Sequence, residues 1–430
     1  MKMFSKDSSV AWLGFIIWFI AAAFFLYEYF LRTFAGSIAS ELIHDLHLSV
    51  EQFTIIGSAY FLAYGLMQIP VGILADKFGV KKIMIFAMVV CALATLLFAH
   101  AHNFWEAVGG RFCMGFGSAF AFICLLVLVS NWLPNQYFSF FAGISQFVGT
   151  MGPVLAGGPL ISWLVASKIP WRIALIHIAY IGFVLALLTL LIVKNKPKGA
   201  IGEMTYLIKS APIKQCLRQL FKNKQVWVIA IYSATVYISL SVMAAIWGTD
   251  FLQTKGLSQK NAAYMISIAW VAYALACPSL GFLSDYFKRR KPFLILCSVL
   301  GLTSMLLMLY GHFHAPYIYR ILFVMLGVAA TGQNIGFATI IENASRDIKA
   351  TALGLNNAYI FISATFLPLI ISFIISMVSH TQSASHIPLH AFIIALSVLP
   401  LLYLVSLIAS TFFYKETFCK PQKGFIILHD

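Results

Sequence analysis

Four ionisable side chains stand where an apolar chain tolerates them least. Glu28, Arg32, Arg111 and Arg320 all lie inside long hydrophobic stretches of this 430-residue sequence. A charge in the interior of a bilayer is expensive unless it meets a counter-charge, a hydrogen-bonding partner or water. Glu28 is the only acid deep in the apolar helices of the first half, which makes it the candidate for proton coupling. At about 1.5 Å of rise per residue, Glu28 on the first helix and Arg111 on the fourth reach similar depth, so an ion pair between them is expected. Arg32, one turn beyond Glu28, is the rival partner, or a side chain reaching for the outer headgroups. A Glu28–Arg111 pair offers a coupling cycle: protonating Glu28 releases Arg111 to a substrate carboxylate, and substrate release lets the pair re-form. The planar guanidinium fork suits a carboxylate or phosphate. The alternative is a permanent bridge between two helices.

Uncharged polar side chains extend the candidate site. Tyr27, Tyr60 and Tyr64 come from the first two helices, Gln146 from the fifth, Tyr237 from the seventh, and Trp270 and Tyr273 from the eighth. Gln333, Asn334, Asn356 and Asn357 come from the tenth and eleventh. Aromatics at helical spacing are ordinarily packing residues, whereas adjacent amides inside membrane helices each need partners away from lipid. Most histidines fall in outer loops or at helix ends, and His177 reads as a hydrogen-bonded core residue. The seven cysteines show no metal-ligand spacing and sit in or beside apolar runs, so no disulfide, metal or cofactor is expected. No phosphate-binding loop, zinc motif or nucleophile motif is present, which argues against an enzyme and against ATP-driven transport by this chain.

The elements that must position these residues follow from composition. With 61% hydrophobic and 10% charged residues, the chain cannot build the polar shell of a water-soluble domain. Hydropathy predicts an all-α polytopic membrane protein of twelve spans, at 10–40, 52–75, 80–100, 103–131, 138–165, 171–193, 225–252, 260–283, 292–312, 315–341, 350–378 and 388–413. The first is read as an uncleaved helix, because the apolar run continues past Ala21-Ala22-Ala23 to about Phe34. Of the 29 basic residues, 22 fall on one side, four on the other and three inside spans. This places both termini in the cytoplasm and directs the net charge of +15 toward lipid headgroups rather than nucleic acid. The expected organisation is a first half at 1–193, a basic cytoplasmic linker at 194–224, a second half at 225–413 and a cytoplasmic tail at 414–430.

A repeat relates the halves. Gly72, Asp76, Lys77, Gly79, Lys81 and Lys82 follow the second span, and Gly281, Asp285, Lys288 and Arg289 follow the eighth, 209 residues later. The same offset carries Ser58 onto Ser267, Tyr64 onto Tyr273, Glu28 onto Tyr237 and Arg111 onto Arg320. Parallel six-helix repeats are one architecture of secondary transporters. On these residues the sequence resembles the major facilitator superfamily over essentially its whole length. The resemblance implies two pseudo-symmetric six-helix bundles, with the glycine–aspartate–basic clusters acting as a conformational latch on the inner face. Leu26-Tyr27-Glu28-Tyr29-Phe30-Leu31-Arg32 and Gln68-Ile69-Pro70-Val71-Gly72 are similar to a bacterial subgroup of nutrient transporters that includes the phagosomal transporters of intracellular pathogens. That resemblance implies a monomeric inner-membrane importer of amino acids, short peptides or similar anions and zwitterions, driven by protons. An exporter of drugs, siderophores or metabolites is the alternative within transport, and a ligand sensor the alternative outside it.

Overall fold

The structure is a computed structural model that describes residues 8–48, 50–156, 169–197, 218, 220–245, 247–313, 315–344, 348–379 and 387–421. Every regular element among them is helical. In the first part of the chain these are α1 (Ser8–Ser37), α2 (Ala39–Asp45), α3 (Val50–Phe78), α4 (Val80–Ala99), α5 (Phe104–Ser118), α6 (Phe120–Trp132), α7 (Phe138–Ala156) and α8 (Trp171–Ile192). In the second they are α9 (Lys224–Ala245), α10 (Gly248–Thr254), α11 (Gln259–Tyr286), α12 (Lys291–Tyr310), α13 (Pro316–Ala330), α14 (Gly332–Glu342), α15 (Lys349–Ser379), α16 (Leu389–Leu396) and α17 (Val398–Ile408). Among the described residues, twelve helical stretches are long and apolar enough to cross a membrane. Three of these stretches join two helices, at Ala119, Thr331 and Ser397. The first and seventh expected spans, 10–40 and 225–252, each run past the end of the long helix, α1 at Ser37 and α9 at Ala245, into the short helices α2 and α10. The far part of the expected fifth span, 157–165, lies outside the described residues.

Two compact units form by contact: Met1–Pro134 with Ser145–Cys216 and Arg346–Gly354, and Asn135–Ile144 with Leu217–Ser345 and Leu355–Asp430. The expected boundary near 194–224 therefore misses two short exchanges, one at the start of α7 and one at the start of α15. In the first unit α4 lies between α5 and α8, α3 packs on α5, and α1 packs on α6. In the second α13 lies between α11 and α12, and α9 packs on α14. Glycine permits the closest approaches. A Cβ on Gly115 would stand 2.1 Å from the Tyr60 carbonyl oxygen, and one on Gly327 would stand 2.2 Å from that of Ala269.

Each unit also straps the segment that follows its last helix onto the loop between its second and third spans. In the first, Trp132 Nε1 donates to the Lys194 carbonyl (2.8 Å), and Asn195 Oδ1 accepts from Lys81 N (2.8 Å). In the second the strap is charged, and Glu416 accepts from Arg290 N (2.9 Å) and Lys291 N (3.0 Å) at the start of α12. Thr417 donates to Glu342, and Arg290 bridges Glu342 (2.7 Å) and Asp285 (2.6 Å). Burial pushes the Arg290 guanidinium down, but its two carboxylates outweigh that and hold it above its ordinary range. Residues 414–421 are thus a packed part of the second unit rather than a free tail. The described parts of the expected linker are 194–197, 218 and 220–224, and its remainder lies outside the described residues.

Two outcomes test this packing. Gly115→Ala forces α5 off α3 and costs on the order of 2 kcal/mol, read as a lower melting temperature in detergent. Burial pushes the Cys419 thiol up to about 12, so in a chain whose only cysteine is Cys419, maleimide labelling at pH 8 is slow. Glu416→Ala frees the strap and speeds that labelling by about tenfold.

Candidate functional site

The buried charges of the first unit meet on α1. Arg32 Nε donates to Glu28 Oε1 (2.9 Å), and the same guanidinium's Nη2 also donates to that oxygen. The pair is spaced i and i+4, so both side chains project from one face of the helix. Tyr60 on α3 donates its hydroxyl to Glu28 Oε1 (2.9 Å). The guanidinium lies over two aromatic faces, 4.3 Å from the Tyr29 ring centre and 4.6 Å from that of Tyr64. Such faces attract a cation most strongly where water is excluded. Glu28 is fully buried and Arg32 is 10% exposed. Glu28 Oε2 has no hydrogen-bond partner among the described residues.

Arg111 does not pair with Glu28. Its Nη1 donates to the Leu31 carbonyl (2.6 Å) and its Nη2 to the Arg32 carbonyl (3.2 Å), with its plane 4.7 Å from the Tyr60 ring centre. Similar depth put Arg111 beside α1, but the helix backbone occupies its forks while the nearer cation takes the carboxylate. The i, i+4 spacing of Glu28 and Arg32 was the signal that identifies the pair.

Arg320 also departs from expectation, because it is exposed and lies 5.9 Å from the Tyr264 ring centre. The repeat slips here. Ala269 follows Tyr60 by 209 positions, but Gly327 follows Gly115 by 212, and so does the helix break at Thr331 after that at Ala119. The residue matching Arg111 is therefore Phe323, which is fully buried. Tyr27 turns away from the site: its hydroxyl has no partner among the described residues, and a Cβ on Gly182 would lie 2.7 Å from it. Gln146 joins the site through Tyr29, its Nε2 3.2 Å from that hydroxyl.

The second unit holds a neutral cluster. Gln333 Nε2 donates to Tyr273 Oη (2.6 Å), and the Tyr273 ring lies 6.0 Å from those of Tyr237 and Trp270. Trp270 Nε1 caps the Ala244 carbonyl (3.1 Å), and Asn334 Nδ2 donates to the Ser139 carbonyl (3.2 Å). Asn357 is buried, and Asn356 is fully buried, neither of its amide atoms meeting a partner among the described residues. No group of three or more potential metal ligands occurs among the described residues.

The glycine–aspartate–basic motifs show their geometry plainly. Asp76 accepts from Ala350 N (3.1 Å) and Thr351 N (2.8 Å), capping the first turn of α15, where a Cβ on Gly72 would stand 2.6 Å from the Ala350 carbonyl. Asp285 accepts from Phe140 N (2.8 Å), with Gly281 pressed on the Ser139 carbonyl. Gly79 takes a left-handed φ of 80°, and Lys288, at the matching position, takes 52°. The cation on Asp285 is Arg290, which the motif reading passed over. Arg289 instead lies 4.7 Å from the Phe418 ring centre. Lys77 stands over Phe78 at 5.1 Å, Lys81 is half-buried and Lys82 is exposed.

A family model described as the Major Facilitator Superfamily matches residues 17–368. The chain belongs to the major facilitator superfamily. It is a multi-pass membrane transporter and not an enzyme. Among its relatives in the superfamily, the hexuronate transporter of Bacillus subtilis (strain 168) is 25% identical over 291 residues, 67% of each chain. The probable galactarate/D-glucarate transporter GarP of Escherichia coli (strain K12) is 24% identical over 370 residues, 78% of this chain and 82% of that one. Among solved structures, the proton:xylose symporter XylE bound to 6-bromo-6-deoxy-D-glucose superposes with a TM-score of 0.74 at 14% identity, over 97% of this chain and 98% of that one.

The two arginines of this superfamily member separate kinetically. Arg111→Lys loses one of two backbone bonds, and is expected to lower the maximal transport rate and the melting temperature while leaving KM within about twofold. Arg32→Lys, which keeps the charge and loses the fork, is expected to raise KM by about tenfold or more. Uptake kinetics in proteoliposomes, beside thermal melting, read both.

Proposed function

We propose that this transporter imports a small organic anion across the bacterial inner membrane, with proton entry through Glu28. The observation that carries the reading is the buried Glu28–Arg32 pair with one carboxylate oxygen left unbound. A proton added to Glu28 Oε2 removes the charge that holds Arg32, and the guanidinium, already seated between two tyrosine faces, is free to take a substrate carboxylate. Arg32 is also the more exposed of the two buried arginines of the first unit. The relatives support an anionic substrate, since they are named for hexuronate and for galactarate and D-glucarate. A carboxylate is common to these acids and to amino acids, so Arg32 serves either. The symporter among the structural neighbours supports the fold of a proton-coupled carrier.

The rest of the cycle follows from the inner face. Asp76 and Asp285 each hold the first turn of a helix, and these contacts serve as latches broken and remade as the carrier alternates its access. Both termini lie in the cytoplasm, in keeping with the concentration of basic residues on that side. The carrier works as a monomer.

Proteoliposome uptake tests the reading. With an inward proton gradient, the wild-type protein accumulates labelled organic acids. Glu28→Gln abolishes accumulation while retaining substrate counterflow, because the neutral amide mimics the permanently protonated state. Accumulation that persists in Glu28→Gln removes Glu28 from proton coupling, and expulsion of solutes under the same gradient reverses the direction.

A further inference from the structure

Gln146 is pinned in a way that leaves half of its amide without a partner. Ser145, just before it, accepts from Trp18 Nε1 (2.9 Å). Gly149, one turn later, abuts the Phe25 ring, where a Cβ would stand 2.5 Å from the nearest ring carbon. A Cβ on Gly152 would stand 2.5 Å from the Leu26 carbonyl oxygen. The backbone of α7 is therefore held against α1 on both sides of Gln146. The side chain is 5% exposed, its Nε2 meets Tyr29 Oη at 3.2 Å, and its Oε1 meets nothing among the described residues. Turning the amide over exchanges the two atoms and orphans the nitrogen instead. A buried polar atom without a partner is costly in either orientation and calls for an explanation.

We infer that Gln146 and Tyr29 recognise a hydroxyl group of the substrate, remote from its carboxylate, and so select a polyhydroxylated acid over an amino acid or an unsubstituted fatty acid. This rests on the carboxylate reading of Arg32 given above. Two arguments carry it. A hydroxyl both donates and accepts, so it completes Gln146 whichever way the amide is turned, whereas an ammonium group serves only the oxygen. Tyr29 also fixes the spacing. Arg32 lies on its ring face, 4.3 Å from the centre, while Gln146 meets the hydroxyl at the ring's far end. A ligand that reaches both carries its hydroxyl several bonds from its carboxylate, as a sugar acid does and an α-amino acid does not. Tyr29 is then shared between the two ends of the molecule, its face toward the guanidinium and its oxygen toward the hydroxyl.

Uptake into proteoliposomes of three labelled compounds tests this: D-glucuronate, hexanoate, which keeps the six carbons and one carboxylate without hydroxyls, and L-threonine. The wild-type protein is expected to favour glucuronate over hexanoate by about a hundredfold in kcat/KM. Gln146→Leu cuts glucuronate by about tenfold or more and leaves hexanoate unchanged, so the ratio collapses. Tyr29→Phe keeps the ring under Arg32 and loses the hydroxyl, and it lowers the ratio in the same direction. Gln146→Asn, which keeps the amide, retains more of the preference than Gln146→Leu, and equal melting temperatures separate selectivity from folding. A ratio unmoved by both Gln146→Leu and Tyr29→Phe overturns the inference, as does a wild-type preference for threonine. If the wild-type protein takes up carboxylates without regard to hydroxyls, this inference alone fails. If it takes up none of the three, the carboxylate reading fails and this one with it.

Discussion

A carboxylate and a guanidinium one turn apart on a membrane helix impose conditions on every helix around them. Removing both charges from water costs more than their mutual attraction returns unless further hydrogen bonds and aromatic faces complete them. Tyr60 supplies the hydrogen bond, and Tyr29 and Tyr64 supply the faces. Tyr60 can do so only because α3 is set close, and that closeness depends on Gly115, which lies against the carbonyl of the same tyrosine. The helix carrying Gly115 also carries Arg111, whose two donors hold the carbonyls of Leu31 and Arg32 on α1. Three helices are thus closed into a triangle, each fixing the distance between the other two. The ion pair sits at its centre.

The helices and their number follow from hydropathy, because the bilayer demands about 20 apolar residues per span. Where the spans break was not legible. The break at Ala119 falls within an apolar run and that at Thr331 just before Gln333 and Asn334, and hydropathy does not sense backbone geometry. The repeat shows the same limit. Its 209-residue register places Gly72 against Gly281 correctly, as both press on a helix start, and predicts the wrong partner for Arg111. Loops between helices absorb insertions without cost to packing, so a register true for one helix pair slips by three residues in another. Depth alone misassigned Glu28, since depth along the membrane normal says nothing of which way a side chain faces. Sequence spacing within one helix does, and it names Arg32.

The units have diverged in how they hold their inner loops. In the first, an uncharged Asn195 accepts the Lys81 amide. In the second, Glu416 occupies the corresponding place against Arg290, and a buried guanidinium joins Asp285 to Glu342. A neutral strap held by single hydrogen bonds of about 1 kcal/mol each opens readily. A charged one whose members leave one another unpaired and buried on separation resists opening far more.

The distribution of unmet hydrogen bonds follows a similar logic. Most buried polar side chains here are satisfied locally, as when Thr95 bonds the carbonyl one turn back and Ser304 bonds Leu322. Such residues stabilise helices and carry no information about ligands. Glu28 Oε2 and Gln146 Oε1 lack a partner among the described residues, as do Arg111 Nε and Asn334 Oδ1, although each of these side chains has a partner at another atom. A packed core has no reason to bury a donor or acceptor in that condition, for an apolar residue of similar volume would be more stable. Retaining the polar atom at a stability cost is sensible where the missing partner arrives during the cycle. A proton completes Glu28, and a substrate hydroxyl completes Gln146.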